Sequence, residues 1–139
     1  MSATTHDPPQ LLDAEDAWER AYKHALTTPL WQHAQWLLDT IGPRFTAAAV
    51  GVTDARTVRR WRDEQTEPRD HTEQARLQLL FRIAYAITLV YGSGAVATSF
   101  LRSANPQLDD QAPLVLLGQS DPDQIQRALL TATRAFLEG

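Results

Sequence analysis

Residues 70–91 of the chain, DHTEQARLQLLFRIAYAITLVY, form its longest apolar stretch. Asp70 can cap the N-terminus of a helix, and Glu73 follows at the spacing of a capping box. Gly92, directly after the stretch, is a signal for the end of a helix. A helix that is apolar on nearly every side is typical of the centre of a bundle. We therefore predict a buried central helix over residues 70–91.

A membrane-spanning helix is the alternative interpretation of this stretch. A bilayer core requires about 20 consecutive apolar residues. Arg76, Gln78 and Arg82 interrupt the pattern, and the uncharged run at residues 83–91 covers about half of that length. The N-terminal sequence, MSATTHDPPQ, also lacks the basic segment and apolar core of a signal peptide. No membrane association is therefore expected.

The composition is that of a globular protein. A chain of 139 residues suits one compact domain or two small ones that share a core. The absence of cysteine excludes disulfides, thiolate metal clusters and cysteine nucleophiles, and it fits a cytoplasmic protein. The net charge is −4, yet residues 44–69 contain six arginines against four acidic residues. Such a basic segment is typical either of a solvated helix face or of a nucleic-acid contact.

Helical periodicity covers every long segment and no segment shows strand alternation, so an all-α fold is predicted. Residues 1–10, which are proline-containing and poor in apolar side chains, are predicted to be a flexible tail. N-terminal helices occupy residues 11–69, and a small C-terminal helical domain occupies residues 92–139. Besides the central helix, we predict helices over approximately residues 11–26, 29–41, 45–50, 55–64, 95–103, 113–118 and 122–138.

A helix-turn-helix pattern precedes the central helix. A short alanine-rich helix is followed by a turn at Gly51 and by a second helix that Asp54 can cap. Val58 and Trp61 stand one turn apart and are predicted to point inward, which would turn the neighbouring arginines outward. Val58 follows Gly51 by seven positions, one more than is usual. Either the turn is one residue longer, or Val52 takes the place of the glycine.

The second helix of this motif would enter the major groove of DNA. Arginine can pair there with the O6 and N7 acceptors of guanine. By their positions, Arg56 and Arg60 are the candidates for base contact. Contacts to phosphates position a protein on the duplex and make binding salt-dependent. The candidates for phosphate contact are Thr57, Arg59, Arg62 and Arg69.

A second pattern lies beyond the central helix, in the order aromatic-Leu-x-x-x-Asn-Pro-x-Leu, then Pro-Leu-x-Leu-Leu. Its candidate partner-binding residues are Phe100, Leu101, Asn105, Pro106, Leu108, Pro113, Leu114 and Leu117. This order resembles the toxin-binding domain of Xre–MbcA–ParS antitoxins, the partners of RES-domain toxins. That family also has an upstream helix-turn-helix, whose Ser-Val-x-Arg-Trp…Pro pattern is similar to residues 57–61 followed by Pro68. Family members usually have tryptophan in place of Phe100, and often glycine in the turn formed here by residues 109–110.

The resemblance covers roughly residues 45–137 and implies a homodimeric antitoxin, without enzymatic activity or a cofactor. Its C-terminal domain would bind an NAD-consuming RES-domain toxin and hinder access to the toxin's active site. Its helix-turn-helix would bind the operator DNA of its own operon. The residues alone leave two interpretations of the C-terminal pattern open, a partner-binding surface or packing in the core. A stand-alone helix-turn-helix regulator, with a C-terminal dimerisation or sensing domain, is the alternative function.

The sequence gives little indication of metal binding or of catalysis. The histidines at positions 6, 24, 33 and 71 fall at no spacing typical of ligands, so surface or half-buried histidines are expected rather than a metal site. The paired acidic residues at 109–110 and at 121 and 123 fit the needs of a turn and of a helix N-terminus. We therefore predict no catalytic residue and no metal site.

Overall fold

The computed structural model describes residues 11–139, and the predicted tail at residues 1–10 lies outside them. The described chain contains eight α-helices, one short 3₁₀ helix at Pro106–Leu108 and no strand, which confirms the all-α prediction. The α-helices are α1 (Ala14–Thr27), α2 (Leu30–Thr40), α3 (Pro43–Val50), α4 (Ala55–Glu64), α5 (His71–Tyr91), α6 (Gly94–Arg102), α7 (Pro113–Gln119) and α8 (Pro122–Glu138).

Helix α5 is the centre of the bundle, as predicted. The Asp70 carboxylate accepts hydrogen bonds from the backbone N–H groups of Thr72 and Glu73, at 2.7 and 3.1 Å, and Gly92 ends the helix in a left-handed conformation. Helices α1, α2, α3, α6, α7 and α8 all contact α5. Its buried side chains are Leu77, Leu79, Leu80, Phe81, Ile83, Ala84, Ala86 and Ile87. None of the helices in the described chain has the length and hydropathy needed to cross a bilayer.

The N-terminal and C-terminal helices share one hydrophobic core, in which α7 packs directly on α3. Gly118 lies at the contact, where a Cβ atom would overlap with the backbone carbonyl oxygen of Ala48. The sequence pattern predicted that Gly118 ends this helix. That prediction was wrong, because α7 continues to Gln119 and the glycine allows the two helix backbones to approach closely.

The polar residues that interrupt the apolar pattern of α5 bind neighbouring helices. The Arg76 guanidinium donates from Nη1 to the Val50 carbonyl at 3.4 Å and from Nη2 to the Ser120 carbonyl at 3.0 Å. It therefore joins the C-terminal end of α3 to that of α7. Gln78 donates from Nε2 to the Ala25 carbonyl in α1, at 3.0 Å. Each bond satisfies a backbone oxygen at or near a helix C-terminus.

His33 is fully buried, so the prediction of surface or half-buried histidines was wrong at this position. Its ring stacks on Phe81 with centroids 4.1 Å apart. The Thr28 hydroxyl donates to the His24 carbonyl at 2.6 Å and lies 2.8 Å from His33 Nε2. Since that hydroxyl proton is already donated, the Thr28 oxygen accepts from Nε2–H. His33 Nδ1 is then a buried acceptor without a partner in residues 11–139.

We expect the stability of the protein to fall between about pH 6.5 and pH 4. Burial, with a smaller contribution from the charge of His24, lowers the pKa of His33 from 6.5 to about 4. The unfolded chain therefore takes up this proton at a higher pH than the folded chain. The contribution of neutral His33 to the free energy of unfolding is fully present above the pKa of the unfolded chain. It is lost as the pH falls to the pKa of the folded chain, and the loss amounts to about 3 kcal/mol.

Urea unfolding at a series of pH values measures this loss. The His33→Gln variant should lose most of the pH dependence in that window, whereas His71→Gln, which removes an exposed histidine, should keep it. An unchanged pH dependence in His33→Gln would contradict the assignment.

Candidate nucleic-acid interface and partner-binding loop

Helices α3 and α4 and the turn between them have the arrangement predicted from the sequence. Gly51 ends α3 with a φ of 85°, and the Asp54 carboxylate caps α4 by accepting from the backbone N–H of Arg56 at 2.8 Å. Val58 and Trp61 are buried, which confirms that they point inward. Val52 has no positive φ, so it does not take the place of the glycine. The turn is therefore one residue longer than usual, as in the first of the two alternatives.

Burial of Val58 and Trp61 turns the arginines of α4 towards solvent. Arg56, Arg59 and Arg60 are exposed, and Thr57 is half-buried beside them. Arg62 is also half-buried, and its Nε donates to the Asp63 carboxylate at 2.8 Å. The positive charge of α4 is therefore concentrated in its first two turns, the part of a recognition helix that reaches base edges.

The two candidates for base contact differ in their electrostatic surroundings. The Arg56 guanidinium donates to the Asp54 carboxylate at 3.0 Å. Hydrogen bonds from the backbone and side chain of Arg56 lower the pKa of Asp54, which keeps this carboxylate charged. Within residues 11–139, Arg59 and Arg60 form no ion pair. Arg56 must therefore break its ion pair with Asp54 before it can bind a base. Arg59 and Arg60 have no ion pair to break.

A groove of about 570 Å³ lies between α4 and the start of α5 and is rich in carboxylates. Arg60 and Arg69 line it. The acidic side chains in the same lining are Glu64, Glu67, Asp70 and Glu73. Carboxylates repel phosphates, so this side of α4 disfavours a DNA backbone. Arg69, predicted to contact phosphate, thus lies on the less favourable side, and the exposed face at Arg56 and Arg59 is the more favourable one.

Most of the C-terminal pattern lies in the protein interior. Of its residues, Asn105 and Leu114 are half-buried and Pro106 is exposed. The other five are buried, namely Phe100, Leu101, Leu108, Pro113 and Leu117. The Phe100 ring, for example, packs on the Phe136 ring with centroids 4.7 Å apart. For these five side chains, the structure favours the interpretation as core packing.

The loop between α6 and α7 is closed by Asn105. The Asn105 side-chain oxygen accepts from the backbone N–H of Gln107 at 2.9 Å. The backbone N–H of Asn105 donates to the Gln111 carbonyl at 3.1 Å. Asp109 and Asp110 follow with φ values of 55° and 62°. Glycine adopts this left-handed conformation without a steric penalty, and aspartate tolerates it. The conformation explains why a turn of this kind accommodates either residue type.

Two apolar side chains at the start of α7 remain at least partly exposed, and we call them the α7 patch: Leu114 and Val115. Val115 is 46% exposed, whereas the side chains that flank it at positions 113 and 117 are buried. Val115 was missing from the predicted site. Helical period sets Val115 on the face opposite Pro113 and Leu117, but it does not indicate which of the two faces is buried, so the sequence held no signal for this residue.

No group of three or more histidine, aspartate or glutamate side chains in residues 11–139 is arranged to hold a metal ion. No protein-family model, curated protein or solved structure matches the chain. The functional interpretation therefore depends on its residues and their geometry.

Proposed function

We propose that the protein is a DNA-binding antitoxin of a toxin–antitoxin pair that acts in the cytoplasm. Helix α4 would bind the operator DNA of its own operon and repress it. The C-terminal helices would bind a RES-domain toxin and block access to its active site. In this proposal the protein is a homodimer, is not an enzyme and requires no cofactor.

One observation carries the proposal. The first two turns of α4 present Arg56, Arg59 and Arg60 to solvent, while Val58 and Trp61 anchor the helix in the core. A helix held in this way keeps a fixed orientation towards DNA. Its guanidinium groups are suited to paired hydrogen bonds with guanine and to phosphate contact.

Replacing Arg56 and Arg60 together by alanine is expected to weaken operator binding by roughly a hundredfold or more, since a good base contact contributes about 1–3 kcal/mol. Fluorescence anisotropy with DNA from the region upstream of the gene, at moderate salt, measures the change. The matched control is Arg20→Ala with Arg102→Ala, which removes the same charge from exposed positions outside α4. Equal affinities of the two double variants would contradict the groove assignment.

The support for toxin binding is weaker and lies in the α7 patch. Leu114 and Val115 lie at the start of α7, directly after the loop that Asn105 closes, and exposed apolar side chains of this kind can anchor a partner. Co-expression with the protein encoded by the neighbouring gene tests the proposal. We expect a RES-domain protein to co-purify with the wild-type chain and to be lost with Val115→Asp.

A stand-alone transcriptional regulator is the second candidate function. The burial of Phe100, Leu101, Leu108, Pro113 and Leu117 favours it, because packing alone accounts for those residues. Operator binding without a co-purifying toxin would support the regulator over the antitoxin.

A further inference from the structure

Helix α1 carries a row of large apolar side chains that the rest of the protein covers only in part. Trp18, Tyr22 and Leu26 stand four residues apart and form one stripe along the helix, which we call the α1 stripe. Tyr22 is 46% and Leu26 58% exposed, and Trp18 is half-buried. Three alanines of α1, at positions 17, 21 and 25, are fully covered where the helix packs on the bundle, and they lie about 100° around the helix from the stripe. Neighbouring exposed apolar side chains on one helix face are a candidate interaction surface.

One edge of the α1 stripe is positively charged, and we call it the arginine edge: Arg82, Arg127 and Arg134. The Arg82 guanidinium lies 4.7 Å from the ring centroids of both Trp18 and Tyr22. Its Nε is buried without a hydrogen-bond partner in residues 11–139, and no carboxylate of that part of the chain forms an ion pair with it. Burial lowers the pKa of Arg82, which reflects the cost of leaving this charge unpaired. A carboxylate from outside would offset that cost.

The rest of the arginine edge comes from α8. Arg127 and Arg134 line a groove beside Trp18, together with Asp123. Arg134 pairs with Glu138, with Nε and Oε1 3.5 Å apart, and both side chains are more than half exposed. The edge as a whole therefore keeps a positive charge.

The other edge of the α1 stripe is negatively charged, and we call it the glutamate edge: Glu15 and Glu19. Both side chains are exposed. At 3.6 residues per turn they lie beside Tyr22 and Leu26, on the side facing away from α5 and α8. Glu19 pairs with Lys23 at 3.1 Å across the exposed surface, where such a pair contributes little. The stripe thus has edges of opposite charge.

We propose that a second copy of the chain docks on the α1 stripe, α1 against α1, around a two-fold axis roughly parallel to the two helices. This symmetry sets the arginine edge of each copy against the glutamate edge of its partner. A two-fold axis across the helices would instead set the two arginine edges against each other. In the proposed arrangement the partner's glutamates supply the carboxylate that Arg82 lacks. Helix α4 packs on α2 and α3, so its arginines stay exposed in the pair.

The first test measures the mass of the full chain by sedimentation equilibrium, without DNA or any partner protein. The inference rests on the homodimer of the proposed function, and leaving out DNA and toxin separates its failure from a failure of DNA or toxin binding. We expect the wild type to dimerise and Tyr22→Ser with Leu26→Ser to raise the dissociation constant by roughly tenfold or more. Tyr91→Ser, which changes a partly exposed aromatic side chain at the end of α5, is the matched control and should leave the dimer unchanged. A monomeric wild type, or a dimer that the stripe variant leaves intact, would overturn the proposal.

The second test exchanges charges between the edges. Glu15→Arg with Glu19→Arg makes both edges positive, and Arg127→Glu with Arg134→Glu makes the arginine edge net negative. Each double variant is expected to be monomeric alone, and an equal mixture of the two should form a heterodimer. Adding Leu26→Ser to both variants should weaken that heterodimer, which separates docking on the stripe from unspecific attraction. A mixture that stays monomeric would exclude the parallel two-fold arrangement.

Discussion

The Gly118→Val variant is expected to lose about 4 kcal/mol of folding free energy, and Gly118→Ala about half of that. A Cβ at this position overlaps with the backbone carbonyl oxygen of Ala48, and a backbone atom inside α3 cannot rotate away as a side chain can. The next contacts of that Cβ are also with backbone, at the carbonyl carbon of Ala48 and the Cα of Ala49. Helix α7 must therefore move away from α3. The gain in helix propensity from replacing glycine, about 1 kcal/mol, offsets only part of this cost.

Chemical unfolding monitored by circular dichroism measures the Gly118 effect. Gln119→Ala is the matched control, because it changes the exposed neighbouring residue of α7 and leaves the helix contact intact. If Gly118→Val unfolds at the same denaturant concentration as the wild type, α7 and α3 do not approach as closely as the structure indicates.

A chain cut after residue 94 is expected not to fold. The cut removes six large apolar side chains from the shared core: Phe100, Leu101, Leu108, Leu117, Leu129 and Leu137. Each contributes about 2 kcal/mol on burial. Their sum is comparable with the whole stability of a typical domain, about 5–15 kcal/mol. The arginine-bearing helix α4 would then lose its fixed orientation, so DNA binding is expected to disappear as well.

The truncated chain also offers a test of the shared core. Adding the separate fragment 95–139 should restore part of the helical signal, because the two pieces bury the same surfaces as the intact chain. A cooperative thermal transition of residues 1–94 alone would instead show that the N-terminal helices are an independent domain.

Helix content was predictable because it depends on short-range patterns. The sequence indicated N-caps at Asp54, Asp70 and Asp121, and each of these carboxylates accepts a hydrogen bond from a backbone N–H in the first turn of its helix. Boundaries were less accurate: α1 begins after Asp13 rather than at residue 11, and α3 begins at Pro43 rather than at residue 45. Proline suits the first turn of a helix, so it begins α3 instead of only ending the helix before it.

The contacts that join distant elements were not predictable from local patterns. Gly118 in a proline-started helical turn has the same local signal whether it ends a helix or allows a close approach to α3. His33 likewise has no local feature that indicates burial, because the Phe81 ring that stacks on it lies in another helix. Such assignments depend on which helices are neighbours, and a single sequence does not contain that information in its periodicity.

The candidate DNA-binding site was more predictable than the candidate partner site. On α4, burial of Val58 and Trp61 fixes which residues face outward, and helical period alone identifies them. In the C-terminal pattern, by contrast, apolar residues suit both a core and a partner surface. Only the packing of α6, α7 and α8 separates Val115, which is exposed, from Leu117, which is buried.

The Arg76 hydrogen bonds also bear on the kinetics of folding. They join residues 26 and 44 positions apart in the chain, so they form only after α3 and α7 have both docked on α5. Interactions that are absent from the folding transition state mainly slow unfolding and have little effect on the folding rate. We therefore expect this guanidinium to lengthen the lifetime of the folded protein far more than it accelerates its formation.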